Sequence, residues 1–453
     1  MRQLLEYAAD RANKYIEGLE HRAVAPSPES IANLSRLEGS MPGSPGDAME
    51  TLRILDEVCS PATMAMAGPR FFGFVIGGSL PVTLAANWLA GAWDQNSAFH
   101  VVTPATAKLE HIALNWLVEL FGLPAGTGGA FVTGATVANF CGLAAARHAV
   151  LAKVGWDVEA NGLFGAPPIS VVVGNEVHAS LVKALGMLGF GRNRVLKVPV
   201  DSQGRMRADS LPDLEGPSIV CLQAGNVNTG AFDPFEVISR AHTAGAWVHV
   251  DGAFGMWAKA SPLKRGLADG MENADSWATD LHKYLNVPYD SGLAFVRDPD
   301  ALRAAMSVTA AYLPSESAYR DPADYTPELS RRARGVEVWA ALRTLGTTGV
   351  AELIERTCRH AERFADGLRK AGYSILNDVV LNQVLVSFGP AEVTRMVIAE
   401  IQSEGTAWCG GTVWQGQTAM RISVSSWATQ DADVERSLDA IIQAARTCGA
   451  PMQ

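Results

Sequence analysis

Apolar positions near the amino terminus return every three or four residues. Leu4, Leu5, Ala8, Ala12, Ile16 and Leu19 share that spacing, which predicts an amphipathic first helix that docks on another surface. From Val24 to Asp47, Pro, Ser and Gly dominate, and the stretch reads as a linker or wrapping arm. A second strong helix is expected from Thr103, a capping residue followed by Pro104. Leu109, Ile112, Ala113, Trp116, Leu117 and Leu120 form its apolar stripe. From Gly129 the pattern changes to short apolar runs: GAFVTG, ISVVVGN, RVLKVPV, SIVCLQAG, AWVHVDG, SWATD and SGLAFVRD. Several are continuous rather than alternating, as strands buried on both faces require. Helical stretches such as Thr136–Val154 and Ala179–Leu188 separate the early ones. That alternation predicts an α/β domain with a mostly parallel sheet.

After Arg297 the chain is irregular to about Pro327, with Pro314, Pro322 and Pro327. Helices are expected at Val336–Leu345 and from about Val350 to Ala371. Strands YSILN, QVLVSFG and AMRISVS then alternate with helices, as in a smaller α+β domain. The expected division is an amino-terminal helical or wrapping segment (1–80), a large α/β domain (81–335) and a small carboxyl-terminal α+β domain (336–453).

Composition narrows the function. Hydrophobic residues make up 48% of the 453 residues and charged residues 19%, which excludes a disordered chain. The formal charge of −10 argues against nucleic acid or an anionic membrane as the partner. No run approaches 18 apolar residues, so no transmembrane helix is expected. The six cysteines are widely spaced and none forms a C-x-x-C pair, so neither a metal site nor a disulfide framework is expected. The amino terminus is charged throughout and lacks the apolar stretch of a signal peptide. A reducing, cytoplasmic compartment is the expectation.

Ligands of parallel sheets sit beyond the strand carboxyl ends, and four such ends carry reactive side chains. Asp251 ends AWVHVDG, where a carboxylate is costly unless paired; alone it reads equally as a structural ion pair. Lys283 follows SWATD beside His282. A lysine at a sheet mouth can attack a carbonyl if its surroundings lower its pKa. In FVTGATVANF a strand leads through a Gly-Ala-Thr turn into a helix, an arrangement that aims backbone N–H groups at an anion. It is neither a Walker loop nor G-x-G-x-x-G, and alone it is equally an ordinary capped helix. His178 follows ISVVVGN, a place where a lone His is more often structural. Together the four supply an anion cradle, an imidazole, a carboxylate and an amine, which is the set pyridoxal 5′-phosphate needs.

The order T-G-A-T-x-A-N, H-A-S-x-x-K-A, H-V-D-G-A and D-x-H-K resembles the pyridoxal-phosphate-dependent decarboxylase family (group II), which includes aromatic amino acid and glutamate decarboxylases. GPRFFGF, TPATAKLE, GNVNTGAFDPF, SRRARGVEVWAALRTLG and MRISVSSWAT extend the likeness from about Pro69 to the carboxyl end. The resemblance implies the aspartate-aminotransferase-like fold (fold type I), with a mostly parallel seven-stranded sheet in the large domain. It implies that Lys283 holds the cofactor covalently. Asp251 would pair with the pyridinium nitrogen, Ala253 would pack on the ring and His178 would stack on its opposite face. Ala135 and Thr136 would bind phosphate with help from the segment at Asp280, a position that is often Asn in the family. His282 would lie near the cofactor and the substrate carboxylate. Asn226 stands where a Thr commonly contacts the ring hydroxyl.

In aromatic amino acid decarboxylases a mobile loop carries a Tyr that protonates the substrate carbon after carbon dioxide leaves. Tyr312, 29 residues after Lys283, occupies that place, with Tyr319 and Tyr325 as neighbours that compete for the role. Arg421 sits where many enzymes of this fold bind a carboxylate, and reads as a substrate ligand or as structural. Residues around Phe72 to Gly77, among them Phe74 and Gly77, and Ala98 to His100 would shape the side-chain pocket. The implied activity is decarboxylation of an L-amino acid to its amine, by a homodimer with active sites at the interface. An aldehyde synthase, aminotransferase, desulfurase or carbon–carbon lyase would use the same Asp251 and Lys283. A non-catalytic protein that keeps the fold is the rival from another class.

Overall fold

A computed structural model describes residues 1–308 and 319–451. The helices that position the site and its surroundings are α1 (Arg2–Gly18), α2 (Pro81–Trp93), α3 (Pro104–Leu120), α4 (Ala135–Ala152), α5 (Ala179–Met187), α6 (Val237–Thr243), α7 (Pro299–Met306), α8 (Gly335–Lys370), α9 (Ala391–Glu404) and α10 (Asp431–Thr447). The contacts group the chain into two units. One comprises Met1–Gly78, Glu362–Leu376 and Val384–Gln453; the other comprises Ser79–Ala361 and Asn377–Gln383.

The larger unit is built on a seven-stranded sheet in the order β1-β7-β6-β5-β4-β2-β3. Its strands are β1 (Gly128–Val132), β2 (Ser170–Gly174), β3 (Leu196–Val198), β4 (Ser218–Gln223), β5 (Trp247–Asp251), β6 (Ser276–Asp280) and β7 (Gly292–Val296). From β3 to β6 neighbouring strands run parallel. β7 is antiparallel to both β6 and β1, so β1 points the same way as β6. The carboxyl ends of β1, β5 and β6 therefore meet one edge of the sheet. The expected strands form because their Val-, Ile- and aromatic-rich runs are buried throughout β1, β5, β6 and β7.

Helix α4 crosses beneath that edge and packs on β5, β6 and β7. It is the one helix among the described residues that is long and apolar enough to cross a membrane, although no such segment was expected from the sequence. Most of it is buried, and its apolarity serves the core formed by Ala138, Cys141, Leu143 and Ala145 with Val173, Ile219 and Ala294.

Of the expected apolar stripe of α3, Ala113 and Leu117 are buried and Leu109, Ile112 and Leu120 half-buried. Thr106, Ala107, Glu110, Ala113, Leu114 and Leu117 are buried, whereas Trp116 is exposed. Glu110 turns the helix. Its Oε2 accepts from Arg331 Nη1 at 2.7 Å and its Oε1 from Arg320 Nη1 at 3.1 Å. Arg331 also donates to the carbonyls of Ser97 and Phe131. A buried carboxylate must face its cations, and the apolar residues rotate accordingly. Thr103 precedes α3 without capping it; its hydroxyl donates to Phe99 O instead. Helix α8 breaks at Gly346, which has φ 59°, between the two helices the sequence predicts.

The smaller unit carries an antiparallel sheet ordered β10-β11-β9-β8, formed by β8 (Ser374–Ile375), β9 (Gln383–Ser387), β10 (Gly410–Trp414) and β11 (Gln417–Ser423). β10 is absent from the expected strands because it begins Gly410-Gly411, and glycine carries no strand signal. The amino-terminal segment belongs to this unit. Phe72 N–H donates to Trp408 O at 2.8 Å and Ser423 N–H donates to Phe72 O at 2.9 Å. Leu19, Val24, Ala65 and Phe71 form one cluster. α1 forms as expected, but none of its residues is buried.

Candidate active site

Three strand ends and two helix starts converge. β1 leads through Gly134 into α4, β5 ends on Asp251, and β6 ends on Asp280 three residues before Lys283. Ala135 N–H, in the first turn of α4, donates to Asp280 Oδ1 at 2.6 Å. The positive end of the helix dipole thus already holds an anion, the chain's own carboxylate. The other oxygen, Asp280 Oδ2, lies 2.8 Å from Lys283 Nζ. Thr136 follows in the same helical turn.

His282 sits beside this pair, buried, with Tyr289 stacked on its ring at 4.2 Å. Ser291 N–H donates to His282 Nδ1 at 3.1 Å. The neutral ring therefore carries its proton on Nε2, which faces Asp280 Oδ1 at 3.4 Å. Burial lowers the His282 pKa, and the Asp280 charge opposes that shift.

Asp251 is 4% exposed. Its Oδ2 accepts from Asn139 Nδ2 at 3.1 Å and its Oδ1 from Ala253 N–H at 3.2 Å. Burial raises its pKa, while His178 and Lys283 both pull it back down. The carboxylate, imidazole and amine singled out in the sequence therefore share one electrostatic environment. His178 caps α5: its Nδ1 accepts from Ser180 N–H at 3.2 Å and lies 2.7 Å from Ser180 Oγ.

The remaining candidates are placed as follows. The side chain of Asn226 is engaged within its own turn. Its Oδ1 accepts from Asn228 and Thr229 N–H, and its Nδ2 donates to Gln223 Oε1. Phe74, Gly77 and Arg421 belong to the smaller unit. Phe74 is exposed and stacks on Trp408 at 5.6 Å. Arg421 lies on β11, where burial lowers its pKa. Tyr312 lies outside the described residues. Sequence reasoning passed over Asn139 and His249, the groups behind Asp251. The available signals were the Asn of T-G-A-T-x-A-N and a His two residues before Asp251 on the same face of β5.

The fold is shared with a solved rice protein: the Oryza sativa TDC crystallised with PLP and tryptamine superposes with a TM-score of 0.91 at 23% identity, covering 98% of this chain and 97% of that one. The family model described as the pyridoxal-dependent decarboxylase conserved domain matches residues 34–389, and the chain belongs to that family. Tryptophan decarboxylase 1 of Oryza sativa subsp. japonica is 27% identical, over 97% of this chain and 93% of its own. The aromatic-L-amino-acid decarboxylase of Bacillus atrophaeus is 26% identical, over 93% and 90%. The chain is a pyridoxal-phosphate-dependent amino acid decarboxylase.

The donor set suits that cofactor. An amine, a buried carboxylate and an anion-holding helix terminus lie at one sheet edge. The turn between them needs to stay bare. A Cβ on Gly134 would fall 3.1 Å from His282 Cε1 and 3.2 Å from Asp280 Oδ1, and a larger side chain there would fill the cradle.

Proposed function

We propose that Lys283 carries the cofactor covalently, that Asp251 partners its pyridine nitrogen, and that the bound L-amino acid loses its α-carboxyl group as carbon dioxide to leave the amine. The observation that carries the reading is Asp251, a carboxylate held in the core by two donated hydrogen bonds within the fields of Lys283 and His178. Such a group is costly without a cationic partner, and a protonated pyridine supplies one. When bound, pyridoxal 5′-phosphate supplies the sink for the electron pair that carbon dioxide leaves behind.

The chain's own residues divide the remaining work. Ala135 and Thr136 bind the phosphate at the α4 terminus. Ala253 and His178 pack on opposite faces of the ring. Asn226 and Asp280 border it. His282, protonated on Nε2, orients the reacting carboxylate. Lys283 must lose a proton from Nζ before it can attack a carbonyl, and the Asp280 carboxylate paired with it at 2.8 Å favours the protonated form. Tyr312 returns a proton to the substrate carbon. Phe74, Gly77 and Arg421 contribute to substrate selection.

The enzyme acts as a homodimer with its sites at the interface. Support comes from α1, an amphipathic helix with no buried residue, and from Trp88, Leu89 and Trp93, which α2 leaves exposed. Sedimentation of the holoenzyme at twice the mass of one chain is the expected result. None of the six cysteines, all among the described residues, is in a disulfide, which supports a reducing, cytoplasmic compartment.

The deciding experiment is product analysis by mass spectrometry. The cofactor-loaded enzyme meets a mixture of common L-amino acids with added aromatic and diamino ones. An amine formed with loss of carbon dioxide is expected. A keto acid as the sole product would overturn the reading.

A further inference from the structure

The hydrogen bonds behind Asp251 run in one direction. Asn139 and His249 are both fully buried. Asn139 Nδ2 donates to Asp251 Oδ2 at 3.1 Å. Its Oδ1 lies 2.8 Å from His249 Nε2. The opposite ring atom, His249 Nδ1, lies 2.8 Å from Ser276 Oγ, which lies 2.8 Å from Trp247 Nε1. The five residues come from three packed elements, α4, β5 and β6.

Each end of this chain fixes the polarity independently. An ionised carboxylate only accepts, so the Asn139 amide must turn its N–H toward Asp251 and its oxygen toward His249. His249 Nε2 must then be the donor, which leaves Nδ1 of the neutral ring as an acceptor. Burial holds the ring neutral, its pKa pushed down to about 3. Ser276 must therefore donate its hydroxyl proton to Nδ1. At the far end Trp247 Nε1–H can only donate, so Ser276 Oγ accepts from it. The two deductions agree, and no member is left with a choice of orientation. The helix is shaped around the ring: a Cβ on Gly142 of α4 would meet His249 Cε1 at 2.8 Å and Nδ1 at 2.9 Å. A side chain there would push the imidazole off Asn139.

We propose that His249, held by Ser276 and Trp247, is a positioning residue that locks the Asn139 amide so that it donates to Asp251, and thereby keeps Asp251 a fixed acceptor for the cofactor. This rests on the reading of Asp251 as the pyridine-nitrogen partner. Without the ring, Asn139 is free to present its oxygen to the carboxylate, which repels the charge the cofactor needs.

The test removes cofactor from the holoenzyme and titrates it back with pyridoxal 5′-phosphate, recording the dissociation constant and the melting temperature of each variant. Asp251→Ala sets the scale. His249→Phe keeps the ring and loses both hydrogen bonds; about tenfold weaker binding is expected, the size of one hydrogen bond to a charged group. His249→Gln places an amide N–H where Nε2 stood, and recovery of most of the affinity is expected. Ser276→Ala deletes one hydroxyl, and weaker binding in the same direction is expected. Should His249→Phe fail to fold, Ser276→Ala and His249→Gln carry the test alone.

Parental cofactor affinity in His249→Phe, or in Ser276→Ala, with only the melting temperature lowered, overturns the relay. In that case a weakened Asp251→Ala leaves the Asp251 reading standing. Parental affinity in Asp251→Ala itself removes that reading, and the relay with it.

Discussion

Asp280 and Lys283 are ion-paired, Oδ2 to Nζ at 2.8 Å, while the second oxygen of the same carboxylate holds the Ala135 amide at the start of α4. One side chain thus engages both groups proposed to take the cofactor, the helix terminus and the amine. A phosphate at that terminus must share it with an anion of the protein, and the ammonium must be released before it reacts. Asp280→Asn keeps the shape and removes the charge. About tenfold tighter cofactor binding is expected, because a like charge next to a phosphate in a partly buried site costs on the order of 1 kcal/mol or more. Faster uptake should accompany it, since Lys283 loses the anion that favours its protonated form. Absorbance-monitored uptake by the cofactor-free protein checks both, and slower, weaker uptake would show that Asp280 assists the cofactor.

His249 makes the fold sensitive to acid. Its folded pKa is depressed to about 3 from an ordinary 6.5, because burial disfavours the charged ring. The unfolded chain therefore binds the extra proton first. Stability is fully present above about 6.5 and is lost as the pH falls toward 3, by at most about 4–5 kcal/mol at about 1.4 kcal/mol per pH unit. Denaturant titrations of the cofactor-free protein at pH 7, 5 and 4 should show that decline. His249→Phe should be less stable at pH 7 yet show a flatter decline. An equal slope in parent and variant assigns the acid sensitivity to other groups.

Glu110 shows how a polar residue orders a helix. Its carboxylate is buried between Arg331 and Arg320, and removing it strands a guanidinium that is itself buried. Glu110→Ala should cost about 3–5 kcal/mol. Replacing Glu110 and Arg331 together by Met should cost markedly less, because the fully buried charge of Arg331 goes with its partner and only the more exposed Arg320 loses its carboxylate. Equilibrium unfolding of the two variants decides: equal losses would mean that packing, and not charge, is what Glu110 supplies.

Most strands of the large sheet could be read along the chain because they are buried on both faces, so that an unbroken apolar run marks them; the edge strand β3 is largely exposed. The burial of α3 could be read only in part: Ala113 and Leu117 of the expected stripe are buried. Periodicity placed Trp116 inside, whereas the charge of Glu110 selects the face next to it, and its cations lie more than two hundred residues away. Asp251, Lys283 and His178 announced themselves as polar residues at strand ends. His249 and Asn139 did not, since a buried neutral His and an interior amide look like ordinary core positions until their hydrogen bonds are traced. β10 was hidden by its glycines, which register against strand yet pair readily with β11.

Tyr312 is the proposed source of the proton returned to the substrate carbon, and the other tyrosines of that stretch bear on the proposal. Tyr312 itself lies outside the described residues. Tyr319 stacks on His100 with ring centroids 4.0 Å apart, and the Tyr325 ring lies 4.3 Å from the Arg320 guanidinium. Both rings are thus committed to contacts within their own unit, which leaves Tyr312 as the phenol to test first. General acid catalysis by a positioned side chain contributes about 10²–10⁴-fold. Tyr312→Phe should therefore slow amine formation by roughly that range. It should also divert part of the turnover to aldehyde, with oxygen consumed and ammonia released. Tyr319→Phe and Tyr325→Phe, which leave the stacked rings in place, should keep the parental product ratio. Amine, aldehyde and dissolved oxygen measured together in the three variants separate the possibilities. Parental amine formation in Tyr312→Phe means that the proton comes from another group, of which His282, protonated on Nε2, is the next candidate.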